Sequence, residues 1–180
     1  MLPFDSPAPP REYRHPAAID DDTLLAQCDF VRNRSSGPGG QHRNKVETAV
    51  HIRHLPTGTE ASASERRKQF ENRIMAIKRL RLKMAANVRT VVHPQRHKPT
   101  ELWQQRRQGE KMSVNPNHKD YPALLAEAMD VIWARKFDVA GAAGLLGITM
   151  SQLAKLIRHE RHAFSLVNQG RVDRGLPALK

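Results

Sequence analysis

Residues 34–58 read RSSGPGGQHRNKVETAVHIRHLPTG, and the stretch changes character at Val46. Before that point it holds Gly37, Pro38, Gly39, Gly40 and Gln41, with Arg34, Ser35, Ser36, His42, Arg43, Asn44 and Lys45 around them. No aspartate, glutamate or cysteine lies among residues 34–45. After that point Val46, Thr48, Val50 and Ile52 alternate with Glu47, Ala49, His51 and Arg53, the period of a half-buried strand. LPTG at 55–58 is a turn signal, so residues 59–64 are expected to return as a second strand.

Upstream, Asp20, Asp21 and Asp22 precede TLLAQCDFVR, which is expected to open with a helical turn and run into a strand. Downstream, a helical pattern is expected to open at Ser64-Glu-Arg-Arg. Phe70, Ile74, Ile77, Leu80 and Met84 recur every three or four residues and predict one apolar stripe. Arg66, Arg67, Lys68, Arg73, Lys78, Arg79, Arg81 and Lys83 crowd the rest of that segment with few acids to balance them. Such a face suits nucleic acid better than plain solvent.

Charge along the chain points the same way. The 180 residues carry a net charge of +12, but residues 1–29 are net −4, residues 30–112 net +13 and residues 113–180 net +3. A cationic middle implies a polyanionic partner. Only 5% of residues are aromatic, so phosphate and shape contacts should outweigh base readout. The single cysteine, Cys28, excludes an internal disulfide and fits a reducing compartment. No apolar run reaches membrane-span length, and the Pro-rich, acidic N-terminus is unlike a signal or transit peptide, so a cytoplasmic protein is expected.

Residues 1–19 hold five of the twelve prolines and predict a flexible arm. Residues 93–119 hold three prolines and six Lys or Arg, which predicts a basic linker with a short helix near Trp103. From Tyr121 the sequence turns apolar and helical. Helices are expected over 123–136, from a cap at Asp138 to Leu146, over 151–159, and around Leu166 and Val167. AAGLLGITMSQLAKLI at 142–157 spaces Ala143, Gly147, Ile148, Leu153 and Leu156 as helix-turn-helix units do. Its second helix would expose Gln152, Lys155, Arg158 and His159. The expected class is thus α+β: a small domain at 20–92, with a mixed or antiparallel sheet packed on a long basic helix, then a helical domain at 120–180. Trp103 and Trp133 are expected to anchor packing.

Glycines let a backbone enter space closed to other residues, and Pro38 stiffens this stretch between them. Neither GxGxxG nor GxxxxGK[ST] is present, which argues against a nucleotide cofactor. The nine histidines include HIRH at 51–54 and HERH at 159–162, without cysteines or carboxylates spaced for zinc. Neither a metal nor a cofactor is expected.

SSGPGGQHRNK followed by VETAVHIRHLPTG, and then SERRKQFENRIMAIKRLR with its internal Asn72, resembles the catalytic domain of class-I peptide chain release factors and related ribosome-rescue peptidyl-tRNA hydrolases. The resemblance covers roughly residues 20–90. It implies hydrolysis of the peptidyl-tRNA ester in the peptidyl-transferase centre, with large-subunit rRNA and peptidyl-tRNA as partners. A glutamine amide is neither a useful base nor a nucleophile, so water must attack. The protein can position it and stabilise the developing oxyanion. By resemblance the Gln41 N–H stabilises that charge, the Gln41 side chain orients water, and Gly39 and Gly40 permit the backbone shape. Arg34, Ser35, Ser36, Gly37, Pro38, His42, Arg43, Asn44 and Lys45 would support the loop and bind RNA, with Arg66, Arg67, Lys68, Arg73 and Lys78 beyond it. Arg43 stands where the family commonly has valine.

The resemblance also makes Gln41 a possible target of a dedicated glutamine methyltransferase. About 33 residues precede the loop, too few for a stop-codon domain, so codon-independent ribosome rescue by a protein monomeric off the ribosome is the expectation. Where the rescue hydrolases have a Lys/Arg-rich tail, the basic stretch here is expected to lead into the helical module. The alternative is a nucleic-acid-binding regulator that reads through its helix-turn-helix and keeps a vestigial loop.

Overall fold

A computed structural model describes residues 13–33 and 48–180. Asp20 caps the first helix, α1 (Asp21–Ala26), by accepting the Thr23 N–H at 2.8 Å. The chain then enters β1 (Cys28–Asn33) and, past residues 34–47, β2 (Ala49–His54) and β3 (Glu60–Ala63). These strands form one antiparallel sheet in the order β1-β2-β3. The register pairs Phe30 with Ile52 and Asn33 with Ala49 at one end, and Val50 with Ala63 on the other side of β2. Of the expected alternation, Val46 and Glu47 lie outside the described residues, Val50 and Ile52 are buried, and Ala61 and Ala63 of β3 are buried beside them.

One long helix, α2 (Gln69–Asn87), covers the sheet. It starts five residues later than expected, and its buried side differs from the expected stripe. Asn72, Ala76, Leu80 and Met84 are buried, whereas Phe70 is 70% and Ile74 50% exposed. Two conditions turn the helix this way. Small residues, Ala61 and Ala63 on β3 and Ala76 on α2, allow close approach. Asn72 also finds three backbone partners only when it points inward.

The basic stretch 93–119 carries more structure than a linker suggests. Thr100 caps α3 (Glu101–Arg106), and a short hairpin follows, β4 (Arg107–Gln108) and β5 (Lys111–Met112). Trp103 is fully buried and its Nε1 donates to the Leu146 carbonyl at 2.9 Å. The anchor expected at Trp103 is therefore present. Trp133 is half exposed and meets Phe137 edge-on at 5.1 Å, which leaves it a rim residue.

Four helices complete the chain: α4 (Tyr121–Ala134), α5 (Val139–Leu146), α6 (Met150–Arg158) and α7 (Arg161–Val172). Almost all of α4 is buried, since it packs against α2 on one side and α5 and α6 on the other. A single buried cluster consequently runs from the sheet through α2 into the C-terminal helices. The arrangement is α+β. Residues 13–19, the end of the expected arm, join this packing: Pro16–Ala18 form a 3-10 turn, His15 and Ala17 are buried, and Tyr13 donates to Asp130 at 2.9 Å. Among the described residues no single helix is long and apolar enough to cross a membrane.

Candidate functional site

The expected catalytic residues Gly39, Gly40 and Gln41 lie outside the described residues, as do Arg34, Ser35, Ser36, Gly37, Pro38, His42, Arg43, Asn44 and Lys45. What is described is the frame that holds both ends of that stretch. Asn33, the last residue of β1, pairs with Ala49, the first of β2, so the glycine-rich segment leaves and re-enters the sheet at neighbouring positions.

Asn72 ties this frame to the basic segment. Its Oδ1 accepts the Arg66 N–H at 2.9 Å, and its Nδ2 donates to the Thr48 carbonyl at 2.7 Å and the Arg66 carbonyl at 2.9 Å. Thr48 is the residue before β2. One buried amide therefore fixes the exit of the glycine-rich stretch and the bend at residues 66–68. The sequence marks this asparagine through the resemblance and as a polar residue inside a helix, but not what it does. Its role needs partners 24 and 6 positions away.

The cations divide into two sets. Arg66, Arg67 and Lys68 lie in the bend before α2, not in the helix as expected, and they are exposed. Their side chains make no hydrogen bond or ion pair among the described residues. Arg73 is exposed too, with its guanidinium 4.2 Å above the Phe30 ring. The remaining helical cations serve the fold. Arg79 donates to the Ser62 carbonyl at 2.7 Å and pairs with Glu65, whose carboxyl is thereby lowered to about 2. Arg81 bonds the Ala17 carbonyl at 2.9 Å and Asp21 at 2.6 Å, and Lys83 bonds the Glu60 carbonyl at 3.0 Å. Lys78, expected to bind RNA, is half-buried and donates to Asn117 at 2.9 Å. Among the described cations of residues 66–83, those near the start of α2 are thus the ones left to meet a polyanion.

A family model for the RF-1 domain matches residues 18–121, which contain the glycine-rich stretch, the three-stranded sheet, α2 and the hairpin. The chain belongs to the RF-1 domain family. Peptide chain release factor 1 of Acidiphilium cryptum (strain JF-5) is 43% identical over 76 residues, which are 41% of this chain and 22% of that protein. The Granulibacter bethesdensis protein of the same name is 43% identical over 83 residues, 45% of this chain and 24% of its own length. Peptide chain release factor 1 of Mycoplasma pneumoniae is 55% identical over 51 residues, 28% of this chain and 14% of that protein. The chain thus spans less than a quarter of these relatives' lengths. Helices α5 to α7 lie beyond the residues that the RF-1 domain model matches.

Those outer helices form a compact unit. Asp138 caps α5 by accepting the Gly141 N–H at 2.9 Å, and Thr149 caps α6 through Gln152. Between them Gly147 sits at φ +70°, and a Cβ there would come within 2.4 Å of the Arg107 guanidinium. This is a position for glycine on both grounds. The two helices meet at 101°. Lys155 and Arg158 on α6 and His159 at its C-cap are exposed, as expected, but Gln152 is half-buried. The β4–β5 hairpin is hydrogen-bonded to the start of α6, where Thr149, Met150 and Ser151 stay exposed. The Thr149 N–H donates to the Glu110 carbonyl at 3.1 Å, the Met112 N–H to Gln152 at 3.4 Å, and Arg107 to the Gly147 carbonyl at 3.1 Å.

A buried polar seam joins residues 13–15 and α4 to the stretch that follows α2. Asp130 on α4 accepts from Tyr13 at 2.9 Å and from Arg89 at 3.1 Å, and burial raises its carboxyl to about 6 despite the guanidinium. His15 accepts the Ala17 N–H at Nδ1 and directs Nε2 at the Val88 carbonyl, 3.1 Å away. Burial lowers it to about 4. A neutral ring with its proton on Nε2 satisfies both bonds. Glu127 accepts from Thr100 N–H at 2.9 Å and from the Thr100 hydroxyl at 2.6 Å, and lies 2.8 Å from His97 Nε2.

Proposed function

We propose that this protein hydrolyses the ester of peptidyl-tRNA in the peptidyl-transferase centre of the ribosome, without reading a codon. The observation that carries this reading is SSGPGGQHRNK inside a match to the RF-1 domain, on a hairpin whose ends are paired at Asn33 and Ala49. Water attacks the ester carbonyl carbon, the carbon–oxygen bond to the tRNA breaks, and the 3′ oxygen leaves as a hydroxyl. Gln41 orients the water and its N–H stabilises the oxyanion, while Gly39 and Gly40 allow the approach. The stretch holds no acid–base pair, so RNA hydroxyls complete the proton transfers. Gln41 is also the residue a glutamine methyltransferase would modify.

In this reading residues 20–92 are the catalytic part, and residues 93–119 and 120–180 steer it. Arg34, Arg43, Lys45, Arg66, Arg67, Lys68 and Arg73 contact large-subunit rRNA. The exposed cations of α6, outside the matched family region, offer a second RNA contact in place of codon reading. Helices α5 and α6 cross like a helix-turn-helix pair, yet the reading of duplex DNA by α6 is disfavoured. Recognition helices enter the major groove by their N-terminal residues, and at that end of α6 Gln152 is half-buried and already accepts from the Met112 N–H of the β4–β5 hairpin. The protein would act as a cytoplasmic monomer off the ribosome.

The test is a peptide-release assay on ribosomes with an empty message channel, on ribosomes with a sense or stop codon in the decoding site, and on isolated large subunits. Gln41→Ala should retain ribosome binding and lose on the order of 100-fold in release. Full release by Gln41→Ala would overturn the mechanism. Release confined to stop codons would overturn codon independence.

A further inference from the structure

The sequence places Phe70 and Ile74 four residues apart on α2, and the inward turn of Asn72 leaves both on the outer side, 70% and 50% exposed. An aromatic and a branched side chain left in water on the most cationic part of the molecule are unusual companions. Soluble surfaces generally keep such pairs covered. The neighbours that could repay the exposure are cations. Arg66 and Arg67 precede Phe70 in the bend that Asn72 holds rigid. Arg73, one turn on from Phe70, holds its guanidinium 4.2 Å over the Phe30 ring, which fixes a cation on the same part of the helix. Glu71 is the only carboxylate between residues 66 and 74.

We infer that Phe70, with Ile74 and the Arg73 cation on the same part of the helix, is a stacking platform for an unpaired RNA base, with Arg66 and Arg67 on the adjoining phosphates. This inference rests on the RNA-directed part of the function proposed above. Single-stranded nucleic acid is held by this pairing of aromatic face and cationic groove, because every base has a π-face and every linkage a charge. A second copy of this chain does not suit the patch, since it would bring like charges together. Unpaired bases, rather than a duplex, are required because stacked bases inside a helix have no free face to offer.

The experiment measures binding of the full chain to a fluorescein-labelled 12-nucleotide single-stranded RNA, to the same sequence as a duplex, and to vesicles of phosphatidylcholine with phosphatidylserine. Phe70→Ala should weaken single-strand binding about 5- to 100-fold, leave its salt dependence unchanged, and leave duplex binding and unfolding temperature as in the wild type. Phe70→Trp should restore the affinity. Unchanged single-strand binding by Phe70→Ala overturns the inference. So does an equal loss on the duplex, or a loss confined to vesicles, which would make the patch a lipid contact. A release assay separates this from the functional reading. Wild-type protein that binds RNA through Phe70 but releases no peptide removes that reading and leaves the platform. Wild-type release with Phe70-independent RNA binding does the reverse.

Discussion

Helices α2 and α4 pack against each other, yet they solve opposite problems. Nearly every side chain of α4 is buried, and its polar residues Glu127 and Asp130 are fully engaged. The inner side of α2 is made of alanines, Leu80, Met84 and one asparagine, and its outer side carries Arg73, Phe70 and Ile74 into solvent. An interior helix buries whatever volume it has. A helix that must present a surface spends its bulky residues outside and approaches the sheet on small ones. Cations follow the same division: those late in α2 hold the sheet and the 3-10 turn, and those at its start remain available.

The largest effect should come from the interior side of this comparison. Trp103→Ala removes a buried indole and its bond to the Leu146 carbonyl, and should cost about 3–5 kcal/mol in urea unfolding. A cost near zero would mean that the 93–119 stretch is not integral to the core.

Asn72→Ala comes next. It strands the Arg66 N–H, the Arg66 carbonyl and the Thr48 carbonyl, and should cost about 2–4 kcal/mol, with faster amide exchange at Arg66. An unchanged exchange rate there would break the link drawn between the bend and the sheet.

The polar seam gives an effect that pH reveals. His15 is lowered to about 4 in the folded protein, so its contribution is present above pH 6.5 and is lost as pH falls through 4. Asp130 is raised to about 6, so its contribution is fully present below pH 3.8 and is lost as pH rises through 6. The two slopes oppose each other over the same window. Asp130→Asn should therefore lose stability on acidification from pH 6.5 to 4 by up to about 3 kcal/mol more than the wild type, and His15→Gln should lose less than the wild type. Parallel stability–pH curves for all three proteins would contradict the burial assigned to these groups.

Smallest in stability is Arg67→Gln on the outer side, expected within about 0.5 kcal/mol of wild type. Its effect should appear instead in RNA titrations as a loss of about 0.7 in the log–log salt slope. A stability loss larger than that of Asn72→Ala would invert the comparison.

Much of the fold was legible because local rules determine it. The period-two alternation at Val50 and Ile52, the cap at Asp138 and the helix-turn-helix spacing around Gly147 are short-range features. The α2 stripe was misread because a helical period of 3.6 is compatible with more than one face. Residues 70, 74, 77, 80 and 84 satisfy it as well as 72, 76, 80 and 84 do. Trp133 misled for a related reason: an apolar residue on an apolar helix can still fall on its one open edge. For the candidate site, the sequence singled out Gln41 and its neighbours by residue type and order, while those positions lie outside the described residues.

The sequence by itself determined the order of the sheet strands and main helices, the family to which residues 18–121 belong, and the cationic middle of the chain. Only the tertiary structure decided which cations are free, which face of α2 is covered and how the C-terminal helices attach. Those outcomes depend on partners far apart in sequence. An asparagine turns inward when three backbone groups await it, and an arginine is spent when a carbonyl lies within reach.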